Sequence, residues 1–532
     1  MTLTTTGRRR GALAAGTALT SVLLLVNPGA SSVSAAVNAP AITGWTPLDA
    51  QHQQLDPGVD LFRYKETSPG PLRAGKPREL NVMRIDPAIS AVRIESTYGK
   101  KAGESEIVRD QLNQYAQLPL AGINASYFMR EGEHAAQPAT PETVQSFGVT
   151  ARDGVLLGAA CDPTTTARRS VVLQHGIPYV TRLSTTLSVT SSVVPSGGGS
   201  ASHTIDDVNR NPGGALACPR DDEDGVADGA VDGVRGIEYT DAHGKEMTVF
   251  QDPQEIVLFN DRYGMPTPTP GMNPKIGSDN QAGFEVLVEA DGTLTRPADW
   301  TTRGGHLVPQ GKQILQAIGT EPTAWLQGMF DTKAKLTIDQ KVTDLADNRD
   351  IPLDESVDIL SGGTRLMGDG TNWAPAIYAK NGDGTTKYVD GKPVLTSCAR
   401  IVTKEGADPA AELTGSDIIC KDARTTLGAD DQGRTVIVTI TGTRDEPEDG
   451  AEALATFDGS FLSEVTAVFT QLKVTDAINL DGGGSTMLLT RDPSNPNNYT
   501  RQTGLTDQKH RPVFDSVYVG VGGAAVTPGS GL

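Results

Sequence analysis

Residues 476–489 read DAINLDGGGSTMLL. An apolar strand ends at Asp481, three glycines follow, and a second apolar run begins at Met487. Asn479 and Asp481 point to the same side of the strand because side chains alternate along it. Glycines allow positive φ and a close approach of the backbone to a ligand, and successive N–H groups in such a turn can hold an anion. The stretch therefore predicts a strand that ends in a functional carboxylate.

The sequence around this stretch alternates between strand-like segments and turns. Thr435–Thr441 is rich in Val, Ile and Thr, and Glu79–Ser96 shows apolar residues at every second position. Apolar residues of 461–472 fall on one helical face. Because strands outnumber helices and short turns separate them, we expect an α+β fold. Its core would be a mixed, largely antiparallel sheet with packed helices and a long loop-rich insertion.

The N-terminus has the pattern of an export signal. Three arginines at residues 8–10 precede an apolar run, and Ser34-Ala35-Ala36 matches a cleavage site. We predict a signal peptide at 1–36, with twin-arginine and general secretory export both left open, and hence a secreted or cell-envelope protein. No other stretch is apolar enough to span a membrane. The net charge of −19 among 532 residues disfavours nucleic acid as a partner.

The remaining chain is predicted to form one domain. It would span 76–522, after an N-terminal leader segment at 37–75 and before a C-terminal tail at 523–532. Residues 211–236 are rich in Gly and Asp, and we expect them to form an insertion that is peripheral to any active site. Within it, Asp222, Asp224 and Asp228 alternate around a glycine. This pattern is compatible with a calcium site or with a solvated acidic loop.

The four cysteines fit an exported protein. Their proximity in sequence favours the disulfides Cys161–Cys218 and Cys398–Cys420. A metal site or free thiols are the alternative, although no CxxC spacing is present. No Walker motif, GxSxG or HExxH occurs, and the three glycines at 482–484 are not GxGxxG. No cofactor is therefore required by the sequence, and calcium is the single metal that it suggests.

Four further places combine polar side chains with turns or strand ends. Arg424 precedes a predicted strand, and its fork of donors suits a carboxylate or a phosphate. Gly363 and Arg365 lie in a second glycine turn. Asn124 and Tyr127 follow an apolar strand, and Arg511 precedes the last one. With Asp481, these are the candidate site residues, and Ser485 and Thr486 add hydroxyl groups beside the glycines.

These motifs together resemble the phosphodiester glycosidase family. The matching segments, in order, are 122–128 (GINASYF), 361–366 (SGGTRL), 423–425 (ART) and 479–487 (NLDGGGSTM). The resemblance implies a hydrolase acting on a sugar-1-phosphodiester similar to a GlcNAc-1-phosphodiester. It departs from the family pattern at 441–444, where Thr-Gly-Thr-Arg replaces Asp-Gly-Arg. It departs again at Ala125-Ser126, where the family often has two glycines.

The resemblance and the residue chemistry together assign roles. Asp481 would act as base or nucleophile, Arg365, Arg424 and the glycine turn would hold the phosphate, and Asn124 and Ser485 would hold the sugar. A phosphate leaves without protonation, so a general acid is optional.

Two alternatives remain open at the level of sequence. The first is an exopolysaccharide or cell-wall glycan hydrolase without phosphate, which would need a second carboxylate with a raised pKa such as Asp422. The second is a non-catalytic, secreted glycan-binding protein, which the change at 441–444 favours. In all three cases we expect the partner to be a carbohydrate or a sugar phosphate.

Overall fold

The structure is a computed structural model. It describes residues 38–48, 52–68, 77–89, 91–130, 143–161, 169–194, 200–213, 250–271, 280–374, 422–442, 459–503 and 510–520, with short pieces between 220 and 247 and between 385 and 393. Residues 38–532 form one compact unit. The predicted signal peptide lies outside the described residues.

The strands of the first half of the chain are mostly short. In chain order they are β1 (Trp45–Pro47), β2 (Gln53–Asp56), β3 (Val59–Glu66), β4 (Glu79–Ile85), β5 (Arg93–Thr97), β6 (Ala121–Asn124), β7 (Phe128–Arg130), β8 (Val144–Ser146), β9 (Thr150–Arg152), β10 (Val155–Gly158), β11 (Ser170–Gln174), β12 (Ile177–Thr181), β13 (Leu183–Ser191), β14 (Ser202–Thr204), β15 (Asp207–Val208), β16 (Gly225–Val226), β17 (Tyr239–Thr240), β18 (Glu246–Met247) and β19 (Phe250–Gln251).

The strands that follow carry the motifs of the C-terminal half. They are β20 (Ile256–Asn260), β21 (Phe284–Val288), β22 (Leu294–Thr295), β23 (Gln313–Ala317), β24 (Leu336–Asp344), β25 (Arg349–Ile351), β26 (Val357–Ser361), β27 (Arg365–Gly368), β28 (Thr371–Asn372), β29 (Tyr388–Val389), β30 (Lys392–Pro393), β31 (Arg424–Asp430), β32 (Thr435–Thr441), β33 (Val474–Asn479), β34 (Leu488–Asp492), β35 (Asn495–Thr503) and β36 (Ser516–Gly520).

Helices are few among the described residues. They are α1 (Val108–Leu112), α2 (Thr320–Asp331) and α3 (Leu462–Leu472), with one 3₁₀ turn at Gly483–Ser485. The prediction of an α+β fold with packed helices is therefore wrong, since the described structure is mostly β. Period-two alternation recurs along the chain, and α1 is little more than a single helical turn. Among the described residues, no helix has the length and apolar character needed to cross a bilayer.

Two sheets position the residues around Asp481. A nine-stranded sheet has the order β1-β3-β4-β32-β31-β33-β27-β28, with β2 on β3. A five-stranded sheet has the order β35-β34-β6-β36-β5. All pairs in both sheets are antiparallel. The first sheet includes strands from 45–66, so part of the predicted leader segment pairs with the domain.

The nine-stranded sheet buries apolar residues on both faces. In β32, Val436, Val438 and Ile440 pack with α3, whereas Ile437 joins the core shared with the five-stranded sheet. This division follows from the alternation of side chains along a strand. Helix α3 begins where Glu464 accepts a hydrogen bond from the Phe461 N–H (2.9 Å), as in a capping box. The β31–β33 pair, which carries the site, is thus held by apolar packing on both sides.

Phe469 is the test of the packing between α3 and the sheet. Its side chain is fully buried among the residues that cover the outer face of β32 and β4. We expect Phe469→Ala to lower the free energy of unfolding by about 3–5 kcal/mol, because it removes a large buried ring and leaves a cavity. Urea unfolding measures this. The matched control is Thr470→Ala, on the exposed face of α3, which should change stability by no more than about 0.5 kcal/mol.

Candidate active site

The segment 480–487 crosses from the nine-stranded sheet to the five-stranded sheet. It leaves β33 after Asn479 and enters β34 at Leu488. The Leu480 N–H donates to the Thr425 carbonyl (2.9 Å), and the Asp481 N–H donates to the Ala125 carbonyl (2.9 Å). The backbone on either side of the Asp481 carboxylate is therefore fixed by strands of both sheets.

Asn124 holds this segment from behind. Its Nδ2 donates to the Asp481 carbonyl (2.7 Å), and its Oδ1 accepts from the Thr425 hydroxyl (2.7 Å) and from the Met487 N–H (3.1 Å). The side chain is fully buried. Both acceptor positions of the amide oxygen are thus used within the protein. The geometry gives Asn124 a positioning role, and the predicted contact with sugar stays a prediction.

The three glycines form a tight turn. The Gly482 N–H donates to Asp481 Oδ1 (2.9 Å), and the Gly483 N–H donates to the Ala423 carbonyl (3.0 Å). Gly483 has φ of 59°, and a Cβ at Gly482 would lie 2.5 Å from the Ala423 oxygen. Glycine is therefore required at both positions. The N–H groups of Gly482 and Gly483 are bonded inside the protein, so they do not form the free anion cradle that the sequence suggests.

Asp422 lies directly behind this turn. Its carboxylate oxygens are 3.2 and 3.3 Å from the position that a Cβ on Gly483 would occupy, and Oδ1 accepts the Ala423 N–H (2.8 Å). Burial, with a further contribution from the negative charge of Asp481, raises the pKa of Asp422 to about 8 against the lowering effect of Arg424 and Arg511. The Asp422 carboxyl therefore holds a proton at neutral pH.

A second carboxyl group with a raised pKa adjoins Asp481. Asp515 is buried and accepts the Ser126 N–H (2.6 Å) and hydroxyl (2.7 Å). Burial is the main cause that raises its pKa to about 7, and the charge of Asp481 adds to it. The sequence analysis missed Asp515. Its signal was an acid at the start of the last strand, beside a motif that had already been selected.

The two arginines of the site differ in accessibility. Arg424 is buried, and its Nε donates to the Ser460 carbonyl (3.0 Å). Arg511 is partly exposed, and its Nη2 lies 3.2 Å from the position of a Cβ on Gly484. His510 is buried beside Ser485, and burial lowers the pKa of the imidazole to about 4. Arg511 is thus the arginine that can reach a ligand over the glycine turn.

The other predicted residues contact β33 at different positions along the strand. The Tyr127 hydroxyl accepts from Asn479 Nδ2 (2.6 Å), and the Gly363 N–H donates to the Asn479 carbonyl (2.9 Å). The Arg365 guanidinium instead binds Asp476 Oδ1 (2.8 and 3.0 Å). Asp476 precedes Asp481 by five residues, which is roughly 16 Å along an extended chain. Arg365 therefore does not meet the Asp481 carboxylate.

Several buried polar atoms around the turn have no hydrogen-bond partner among the described residues. They are Ser460 Oγ, Asn479 Oδ1, Ser485 Oγ and Thr486 Oγ1. A buried polar group without a partner costs about 1–3 kcal/mol, so such groups usually meet water or a ligand. Ser485 and Thr486 were predicted from the sequence, whereas no sequence signal pointed to Ser460.

The other predicted sites fall largely outside the described residues. Asp222, Asp224 and Asp228 are among these, as are Cys218, Cys398 and Cys420. Cys161 is described and is disulfide-bonded, and its pairing with Cys218 stays a prediction. Over the part of the chain that the structure describes, no group of three or more His, Cys, Asp or Glu side chains is arranged to hold a metal ion.

Comparison with known proteins confirms the resemblance indicated by the motifs. Residues 285–520 match the model of the family described as phosphodiester glycosidase. The match includes the motifs at 361–366, 423–425 and 479–487, and the motif at 122–128 lies outside it. No curated protein matches the sequence.

One solved structure has a similar fold, and two others have lower similarity. A Burkholderia pseudomallei protein, described by its name as exported, has a TM-score of 0.60 at 17% identity, covering 91% of this chain and 100% of its own. A protein from Synechocystis has a TM-score of 0.47 at 14% identity, covering 87% and 62%. The catalytic domain of zebrafish N-acetylglucosamine-1-phosphodiester α-N-acetylglucosaminidase has a TM-score of 0.31 at 11% identity, covering 90% and 89%.

Asn124→Ala tests the attachment of the Asp481 segment. The change leaves the Thr425 hydroxyl, the Met487 N–H and the Asp481 carbonyl without their partner. We expect a loss of about 3 kcal/mol in the free energy of unfolding, measured in urea. Asn113→Ala, at an exposed position after α1, is the control and should shift stability by no more than about 0.5 kcal/mol. Equal effects of the two changes would contradict the role of Asn124.

The Asp422 carboxyl predicts a pH dependence of stability. Its folded-state pKa of about 8 exceeds the ordinary 3.8, so folding favours the protonated form. Its contribution to stability is complete below about pH 4 and is lost as the pH rises to 8. Asp422→Asn removes this titration, so the variant should gain stability relative to the wild type between pH 5 and pH 8.5.

Urea unfolding at these two pH values measures the difference. The control is Asp369→Asn, at an exposed position. The free energy of unfolding of this variant should differ from that of the wild type by the same amount at pH 5 and at pH 8.5. A pH-independent difference for Asp422→Asn would mean that Asp422 does not hold a proton in the folded protein.

Proposed function

We propose that this chain is a secreted glycosidase that hydrolyses a sugar-1-phosphodiester similar to a GlcNAc-1-phosphodiester. The observation that carries the proposal is the Gly482–Gly484 turn, which has the Asp481 carboxylate at one end and the Arg511 guanidinium against Gly484. A carboxylate and a cation on one turn match the two charges of the reaction, a developing positive sugar carbon and a negative phosphate. The family match over 285–520 supports the same reaction class.

Asp481 acts as the base or the nucleophile. The Gly482 N–H donates to its Oδ1, which orients the carboxylate, while the residue stays partly exposed. As a base it removes a proton from the water that attacks the anomeric carbon. As a nucleophile it forms a glycosyl ester that water then cleaves. In both cases the bond from the anomeric carbon to the phosphate oxygen breaks, and its electron pair leaves with the phosphate.

Arg511 stabilises the departing phosphate. A phosphate monoester is a weak base, so its departure requires charge stabilisation more than a proton. The guanidinium presents a planar set of donors suited to phosphate oxygens. Arg424 is buried beneath the turn and contributes through its charge beside Asp422. The acidic net charge of the chain makes such a local concentration of arginine informative.

The sugar itself would satisfy the buried polar atoms of the turn. Ser485 Oγ, Thr486 Oγ1 and Asn479 Oδ1 are buried without partners among the described residues. Sugar hydroxyls and an acetamido N–H can donate to all three oxygens, and the hydroxyls of Ser485 and Thr486 can also donate in return. In the free protein these atoms either lack hydrogen bonds, at a cost in free energy, or bind water. Sugar binding would then supply the hydrogen bonds instead.

A phosphate-free glycoside is the second candidate substrate, because Asp422 provides the second carboxyl that such a reaction needs. Its pKa of about 8 keeps it protonated, as a general acid must be. The third reading, a glycan-binding protein without turnover, rests on the change at 441–444. Thr441 is buried there, and its hydroxyl bonds that of Thr503 (2.8 Å).

One assay separates the three readings. The full chain is incubated with UDP-GlcNAc, with a GlcNAc-1-phosphodiester and with a GlcNAc disaccharide, and free sugar is measured. Release from the phosphodiesters alone supports the proposal, release from the disaccharide supports the second candidate, and binding without release supports the third. Loss of activity towards the disaccharide in Asp422→Asn, with a smaller loss towards the phosphodiester, would identify Asp422 as the acid for the poorer leaving group.

Asp481→Asn should lower kcat by at least about 1,000-fold with the fold retained, because an amide can serve neither as base nor as nucleophile.

Arg511→Lys should lower kcat/KM by about 10- to 100-fold, since a point charge does not replace the guanidinium fork. Steady-state kinetics with the phosphodiester substrate measure both. Asp369→Asn serves as the control. Activity in Asp481→Asn close to that of the wild type would refute the assignment.

A further inference from the structure

Trp373 is an exposed aromatic residue held between arginines. Half of its surface is accessible (50%). The residue directly follows β28, and its backbone N–H donates to the Leu366 carbonyl (2.9 Å). The Arg365 Cζ lies 5.3 Å from the centre of its ring, and the Arg169 Cζ lies 6.0 Å from it. An exposed tryptophan fixed by backbone bonding and cation–π contacts provides a rigid flat surface.

The charge around Trp373 is opposite to that of the protein as a whole. Arg169 and Arg365 contact the ring, and Arg182 is close enough to Arg169 to repel it. Burial and the charges of Arg182 and Arg365 lower the pKa of Arg169, with Asp476 as the opposing carboxylate. Arg365 and Arg169 thus lie near one aspartate, Asp476, with Arg182 close to Arg169, in a chain of net charge −19. Such a reversal of sign favours an anionic ligand.

This basic and aromatic patch is connected to the candidate active site by β33. Arg365 binds Asp476 near the start of that strand, and Asp481 follows its end. The glycine turn before Arg365 is attached to the same strand, because the Gly363 N–H donates to the Asn479 carbonyl (2.9 Å). A ligand large enough to reach both places would have to be a chain and not a single sugar phosphate.

We propose that Trp373, Arg169 and Arg365 form a binding subsite for a phosphodiester-linked glycan chain. Sugar rings stack on the indole face, and phosphates between the sugars meet the guanidinium groups. The inference deepens the proposed function, on which it rests for the reaction class, by naming a polymer as the substrate. It also gives Arg365 an anion to bind away from the Asp481 carboxylate.

Binding to defined polymers tests the subsite independently of turnover. Isothermal titration of the full chain is performed with a yeast phosphomannan, with neutral mannan and with inorganic polyphosphate. We expect the phosphomannan to bind best, and Trp373→Ala and Arg169→Gln each to weaken it by about tenfold. Leu307→Ala and Arg349→Gln, at exposed positions elsewhere, are the matched controls and should leave its affinity unchanged.

The other outcomes overturn the proposal in different ways. If neutral mannan bound as tightly as phosphomannan, the phosphate charge would not contribute to recognition. If polyphosphate bound as tightly as phosphomannan, and Trp373→Ala did not weaken its binding, the patch would bind anions only. Unchanged phosphomannan affinity in both variants would refute the subsite. If the variants lose phosphomannan binding while the wild type releases no sugar from a GlcNAc-1-phosphodiester, the subsite stands and the proposed function falls.

Discussion

The side-chain amide of Asn124 connects three parts of the chain that the fold brings together from distant positions. It joins the end of β6 to the Asp481 carbonyl, to the Thr425 hydroxyl of β31 and to the Met487 N–H before β34. Because the amide is fully buried, water cannot replace these bonds at low cost. The position of the Asp481 carboxylate thus depends on Asn124, whose side-chain oxygen accepts both of its hydrogen bonds from groups of the protein.

The rigidity of the turn follows from the same arrangement. Gly482 and Gly483 lie so close to the strand carrying Ala423 that a side chain on either would meet the backbone or the Asp422 carboxylate. The parts of the site that can respond to a ligand are the partly exposed groups, Asp481, Gly484 and Arg511. Specificity must then come from what these groups and the unpartnered hydroxyls contact.

Sequence patterns could predict the local features of this protein better than its long-range ones. Asp153-Gly154, a dipeptide typical of two-residue turns, joins β9 to β10 with φ of 48° and 72° at the two turn residues, because such a turn depends on those residues alone. The amphipathic stretch near 461–472 forms α3 for the same reason. The α+β class was wrong because one clear helix was extended to a class of packed helices. How strands are ordered into sheets depends on contacts between distant residues, which periodicity does not encode.

The candidate site shows the same limit at the level of single residues. Separate sequence patterns selected the turn, Asn124 and Arg511, since each lies at a strand end next to glycine or polar residues. They could not assign Arg365, whose guanidinium is drawn to Asp476 by an ion pair that no spacing reveals. Asp515 and Ser460 were also missed. The hydroxyl of Ser460 looks like any other in a sequence, and the position of Asp515 before the last strand does not reveal that its carboxyl is buried.

Three carboxyl groups share this site, and their unequal burial determines which of them is charged. Asp422 and Asp515 are buried, and burial together with the charge of Asp481 raises the pKa of both. Three neighbouring carboxylates would repel one another strongly in a medium of low dielectric constant, so the two that water cannot reach have raised pKa values. Asp481 is partly exposed, and its Oδ1 accepts a hydrogen bond from the Gly482 N–H. Among the described residues, the fold therefore places two buried carboxyl groups with raised pKa beside the partly exposed carboxylate of Asp481, and burial is the main cause of this difference.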